Sequence, residues 1–190
     1  MSAALPPSSA CDSSRNDCLP ATICLLGPND VAIFRALRMT MLQDAPGAFG
    51  ASMQDEAALS EEAWAARIGP DDDSAVFGAF IDGNLVGSIA LSRQRPVKMR
   101  HKALIWGVFV TSSARGQGLA RRLMQAMIAH ARTLPDLRQV TLSVAAWNTR
   151  ASELYRSLGF VQYGREPEAL CVDGEWLDEC QMVRRLTCTQ

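Results

Sequence analysis

Arg115-Gly116-Gln117-Gly118-Leu119-Ala120 is the stretch whose residue types and spacing point most directly to chemistry. An apolar run, Ala103 to Val110, ends in a short polar loop holding Gly116 and Gly118, and an amphipathic helix pattern follows at once. Glycines where a strand hands over to a helix let backbone N–H groups crowd round an anion, and the helix dipole adds positive potential. The chemistry is phosphate binding. A Walker loop closes on Gly-Lys-Ser/Thr, and Gly118-Leu119-Ala120 has neither the lysine nor the hydroxyl. A dinucleotide fingerprint needs a third spaced glycine and an acidic residue on a following strand, and only Gly116 and Gly118 are present. The pattern that survives is Arg/Gln-x-x-Gly-x-Gly/Ala, met by Arg115, Gly118 and Ala120.

A second constellation follows. Val140 to Val144 reads as a buried strand rich in β-branched residues. After Trp147-Asn148-Thr149, the residues Ala151, Leu154, Tyr155 and Leu158 fall at i, i+3, i+4 and i+7, one face of a helix. Asn148 or Thr149 can cap its N-terminus, and Gly159 suits its C-terminal left-handed position. The pattern Asn148-x-x-Ala151-x-x-x-Tyr155-x-x-x-Gly159-Phe160, coming after the glycine loop, resembles the paired signatures of the general N-acetyltransferase (GNAT) superfamily.

That resemblance implies a fold, a co-substrate and a set of site residues. The fold is an α/β (α+β) GNAT fold with a mixed central sheet of six or seven strands flanked by four helices. The co-substrate is acetyl-coenzyme A, with no metal. Its pyrophosphate would lie on the backbone N–H groups of Arg115, Gly116, Gln117, Gly118, Leu119 and Ala120, with Arg115 or Arg121 adding charge. Its pantetheine arm would run beside Val108, Phe109 and Val110, with Asn148 bonding either the arm or the strand end. Tyr155 would be the general acid for the departing thiolate, since a phenol is protonated at working pH; from helix periodicity alone it would be a core residue. Gly107 would mark a bulge that splays its strand from the next; room for a bulky neighbour such as Trp106 is the other reading. The general base is less plain, because Ala103 to Val110 and Val140 to Val144 hold no carboxylate. Glu56, in the segment expected to cover the acceptor pocket, is the candidate; Glu175, Asp178 and Glu179 in the last hairpin are further ones.

The elements needed to position these residues are present in order. Thr22 to Leu26 reads as a strand; Val31, Phe34, Leu37, Met41 and Leu42 recur at helical spacing; a second helix starts behind Ser60 as N-cap and stops at Gly69-Pro70. Asp82-Gly83 and Asp173-Gly174 mark two hairpins, Ala75 to Leu91 and Ala169 to Val183. The helix after the glycine loop buries Leu119, Leu123, Met124, Met127, Ile128 and Ala131, with His130 expected at the surface. The predicted order is β-α-α-β-β-β-α-β-α-β-β.

Composition narrows the classes. A chain of 190 residues with 48% hydrophobic content suits one domain with a sizeable core, expected over 21–190 behind a disordered extension, 1–20. A net charge of −1 gives no basic surface for nucleic acid or anionic lipid. The absence of a long apolar run and of a signal-like start predicts no membrane partner and a cytoplasmic location. Six cysteines without a Cys-x-x-Cys pair, and two histidines remote in sequence, indicate no metal cluster. The expected acceptor is the amine of a small molecule. A protein N-terminus or lysine, or a non-catalytic acyl-coenzyme A binding role, are the alternatives, and a homodimer is left open.

Overall fold

Two tight turns and one long amphipathic helix organise the sheet. In the computed structural model, which describes residues 21–68 and 73–186, seven strands form a single mixed sheet. The expected extension 1–20 and the helix stop at Gly69-Pro70 lie outside the described residues. In chain order the elements are β1 (Thr22–Leu25), α1 (Val31–Asp44), α2 (Met53–Ala57), α3 (Glu61–Ile68), β2 (Ser74–Ile81), β3 (Asn84–Arg93), β4 (Lys102–Val110), α4 (Leu119–Thr133), β5 (Gln139–Ala145), α5 (Thr149–Ser157), β6 (Val161–Val172) and β7 (Glu175–Arg185). Strand order is β1-β2-β3-β4-β5-β7-β6, antiparallel throughout except for β4 beside β5.

Both predicted hairpins form. Asp82-Gly83 and Asp173-Gly174 carry positive φ at both positions, as two-residue hairpin turns require. Alternation along the strands then sorts side chains into two cores. Ala79, Ile89, Leu91 and Ile105 face α4 and α5, whereas Val76 and Ala90 face Phe34 of α1 and Trp64 and Ile68 of α3. Leu123, Met124 and Met127 of α4 are fully buried, each side chain contributing about 1.5–3 kcal/mol of burial free energy.

Three expectations change. Among the described residues there are five α-helices rather than four, the extra one being α2, which Ser52 and Asp55 start with a reciprocal capping box. At five residues it is too short to show an apolar period. β6 runs from Val161 rather than Ala169, as an edge strand. Its outward residues have no apolar alternation to announce it, and shifts of register around Gly164 and Glu168 break the pattern further. His130 is half-buried against the ring of Phe77 at 5.6 Å, and burial lowers its pKa.

Candidate active site

The glycine loop supplies an open anion cradle. Gly116 and Gly118 adopt φ of +85° and +74°, the left-handed region that favours glycine. Gly118 starts α4 with no side chain capping it, so the first-turn N–H groups are without an internal partner. They face a cavity of about 800 Å³. Nothing lies within 4 Å of where a Cβ would stand on either glycine. An uncapped helix start beside a roomy cavity fits a pyrophosphate.

Val108, Phe109, Val110, Arg115, Gly116, Gly118, Leu119, Ala120, Arg121, Asn148 and Tyr155 line that cavity. Gln117 does not: it is exposed and outside the lining. Arg115 is tied back, its Nε donating to the Val110 carbonyl at 3.0 Å and its guanidinium lying 5.8 Å from the Phe109 ring. Arg121 donates to Ser157 Oγ on α5 at 2.9 Å, bridging the two helices that flank the cavity. The segment expected over the acceptor pocket does border both cavities, through Ala48 and Phe49, whereas Arg150 and Trp147 line the larger one with no motif to mark them as lining.

The slot for an extended arm comes from sheet geometry. β4 and β5 pair only from Lys102/Gln139 to Leu104/Thr141, then separate. Gly107 has φ of +62°, and the β3–β4 register shifts between Ser88 and Ala90, which is a bulge. Buried Ser88 donates its hydroxyl to the Gly107 carbonyl at 3.4 Å. The need for a bulge, rather than for space, therefore fixes glycine at 107: Arg38 Nη1, 3.8 Å from a Cβ there, is its only neighbour within 4 Å.

A second cavity, of about 240 Å³, opens on the other side of the splay. The two cavities share Ala48, Phe49, Val108, Asn148, Ala151 and Tyr155. Asn148 caps α5 through its side-chain oxygen, which accepts from the Ala151 N–H at 3.1 Å. That bond fixes the amide at the junction and leaves its NH₂ as donor. Tyr155 is buried among apolar neighbours, and desolvation pushes its pKa up to about 12. Its phenol is neutral over the whole working range.

The structure places Glu56 apart from the cavities. Glu56 lies outside both cavities and is 2% exposed. Its Oε1 accepts from Arg38, and its Oε2 pairs with Arg67 at 2.5 Å. With both oxygens engaged, Glu56 is the ionic partner of Arg38 and Arg67 and borders neither cavity. Glu56→Ala would leave two guanidinium groups without their partner and is expected to cost about 3–5 kcal/mol of stability in urea unfolding. A change below 1 kcal/mol would contradict this role.

Of the remaining carboxylates, Asp178 is held by Arg165 Nε at 2.8 Å and by the Glu168 N–H at 2.9 Å, and Glu175 sits at the exposed hairpin end. Glu179 on β7 lines the smaller cavity. Burial, and then Glu166 across the β6–β7 pair, raise its pKa, while a hydrogen bond from Ser143 opposes them. It shares the cavity with Arg38, a residue 5% exposed.

A splayed sheet, a glycine-led helix start and a neutral tyrosine where two cavities join are thus brought together on one face of the fold. The acetyltransferase (GNAT) family model matches residues 36–160, and the chain belongs to this family. The L-amino acid N-acetyltransferase AaaT of Escherichia coli (strain K12) is 27% identical over 125 residues, covering 66% of this chain and 76% of that protein. Spermidine N(1)-acetyltransferase of Vibrio cholerae is 27% identical over 99 residues, 52% of this chain and 56% of its own length. The chain thus spans little more than half of the Vibrio protein. A Salmonella typhimurium structure with its cofactor acetyl-CoA has the same fold, with a TM-score of 0.74 at 21% identity over 88% of this chain and 94% of that one. No described helix is long and apolar enough to cross a membrane.

Proposed function

We propose that the protein is an N-acetyltransferase that moves the acetyl group of acetyl-CoA onto the amine of a small molecule. The observation that carries this is the meeting of two cavities at Tyr155, Asn148 and Val108. A thioester lying in the larger one and an amine in the smaller would touch there, which is the proximity that direct transfer needs. Acetyl-CoA supplies the activated thioester when bound. The chain supplies the rest: the α4 start holds the pyrophosphate, the free edge of β4 at Val108–Val110 pairs with the extended arm, and Asn148 holds the junction.

Glu179 takes the proton from the amine as nitrogen bonds to the thioester carbon. Tyr155 gives its proton to sulfur as the carbon–sulfur bond breaks. The two sites are reset by proton exchange with solvent. A raised carboxylate suits this task, because a base works best with a pKa nearer the working pH than an ordinary carboxylate has. A small-molecule acceptor is supported by the relatives named for acetylating L-amino acids and spermidine. A Cβ on Gly47 would stand 2.9 Å from Leu177 Cδ1, so the loop after α1 packs tightly on β7 beside the larger cavity. The mechanism assigns no role to a metal, a nucleic acid or a membrane.

The test is release of free thiol from acetyl-CoA over an amine panel, wild type against Glu179→Gln. The wild type is expected to turn over at least one amine, with kcat/KM falling as pH drops and Glu179 protonates. Glu179 faces Ser143 from β5 and Glu166 from β6, and Arg38 of α1 lines the same cavity, so this limb belongs to that group. Glu179→Gln is expected to lower kcat/KM by about 10²-fold near neutrality, with the deficit narrowing at high pH as the amine deprotonates unaided. No turnover with any amine would overturn the proposal. An unchanged pH profile in the variant would remove Glu179 from it.

A further inference from the structure

We propose that Arg38 reads an anionic group on the acceptor, so that the amine acetylated also carries a carboxylate or an equivalent acid, as a free amino acid does. This rests on the acetyltransferase reading and specifies its substrate class.

The argument starts from charge. Arg38 and Arg67 share one carboxylate, Glu56, so the buried cluster carries an excess positive charge. The Arg67 side chain is 32% exposed to solvent, whereas that of Arg38 is 6% exposed and borders the smaller cavity. A cation in such a place is costly unless an anion meets it.

Hydrogen-bonding capacity points the same way. Nε and Nη2 of Arg38 both approach the same oxygen, Glu56 Oε1, at 3.0 and 2.9 Å. At the end-on edge, Nη1 meets only the thioether of Met41 at 3.0 Å, a weak acceptor. A guanidinium edge of this kind matches a carboxylate through two parallel bonds. The group is also rigid: the rings of Phe49 and Trp106 each lie 5.5 Å from its central carbon. Nη1 stands 3.8 Å from the Cβ position of Gly107, which puts the free edge at the bulge, beside the junction where transfer occurs. Glu179 forms another part of the same cavity lining. The cavity is thus dipolar, an acid to receive the amine and a guanidinium to receive a carboxylate. A polyamine would set a second positive charge against Arg38.

The experiment uses matched sets built on glycine, leucine and methionine: the free acid, its amide and its decarboxylated amine. Binding to the protein saturated with coenzyme A is measured by calorimetry, and kcat/KM by thiol release. At least one acid is expected to bind at least 100-fold more tightly than its amide and amine. Arg38→Lys keeps a cation beside Glu56 but loses the planar fork. It is expected to raise KM for that acid at least tenfold with kcat within a few-fold, collapsing acid-over-amide selectivity, in a protein whose melting is checked by circular dichroism. Equal or better binding of amides and amines overturns the inference, as does turnover confined to spermidine or to carboxyl-blocked peptides; either result leaves the acetyltransferase reading standing. Failure to bind acetyl-CoA itself overturns both.

Discussion

Replacing Tyr155 with phenylalanine is expected to lower kcat by about 10²–10⁴-fold while leaving acetyl-CoA affinity nearly unchanged. The substitution keeps the ring that packs against Phe160 at 6.0 Å and removes only the hydroxyl. A thiolate leaving into a buried junction without a proton donor would be poorly solvated, and that cost falls in the transition state alone. With the phenol pushed up to about 12 by desolvation, Tyr155 stays protonated at every pH used in assays. The wild type should therefore show no alkaline loss attributable to it, and the deficit of the variant should be constant with pH above the limb set by Glu179. Steady-state kinetics, with calorimetry for the cofactor and thermal melting for the fold, check this together. If kcat falls less than threefold, Tyr155 is a core residue and the proton for sulfur comes from elsewhere.

Gly118→Trp is expected to weaken acetyl-CoA binding at least 100-fold, about 2.8 kcal/mol, with a smaller loss of stability. The left-handed backbone at φ +74° costs a non-glycine residue about 1–2 kcal/mol. Nothing else opposes the side chain in the free protein, because a Cβ there meets no atom within 4 Å. The indole instead takes the space in front of the α4 N–H groups. Gly118→Asn is the companion, since asparagine tolerates this conformation and stays short; it should retain more of the binding. Calorimetric titration with acetyl-CoA decides it. Undiminished binding by the Trp variant would place the pyrophosphate away from this loop.

Much of the architecture was legible because it is governed by local rules. The Asp82-Gly83 and Asp173-Gly174 turns, the apolar stripe of α4 and the Asn148 cap each depend on residues close in sequence. What escaped lacks a local signature. α2 is shorter than two turns, and β6 is an edge strand whose outward residues carry no alternating pattern. The glycine at 107 was ambiguous until the β3 partner strand was seen, since a bulge is a property of two strands.

The site divides in the same way. Arg115, Gly118 and Ala120, with Asn148 and Tyr155, line the larger cavity as the motifs led one to expect, because each is placed by the end of one helix or a spacing along it, and these are written in consecutive residues. The acceptor side was not. Glu56 stood out as a loop carboxylate, but burial between Arg38 and Arg67 turned it into the anchor of a guanidinium. Glu179 gained its place because β7 inserts between β5 and β6 and carries it to the splayed mouth of β4 and β5. The sequence by itself determined the family and the places of the glycine loop and of Tyr155 in the fold. The tertiary structure alone decided which carboxylate is buried with a partner and which lines the smaller cavity. The reason is that the availability of a charged group depends on its desolvation and its neighbours, and those come from segments far apart in the chain.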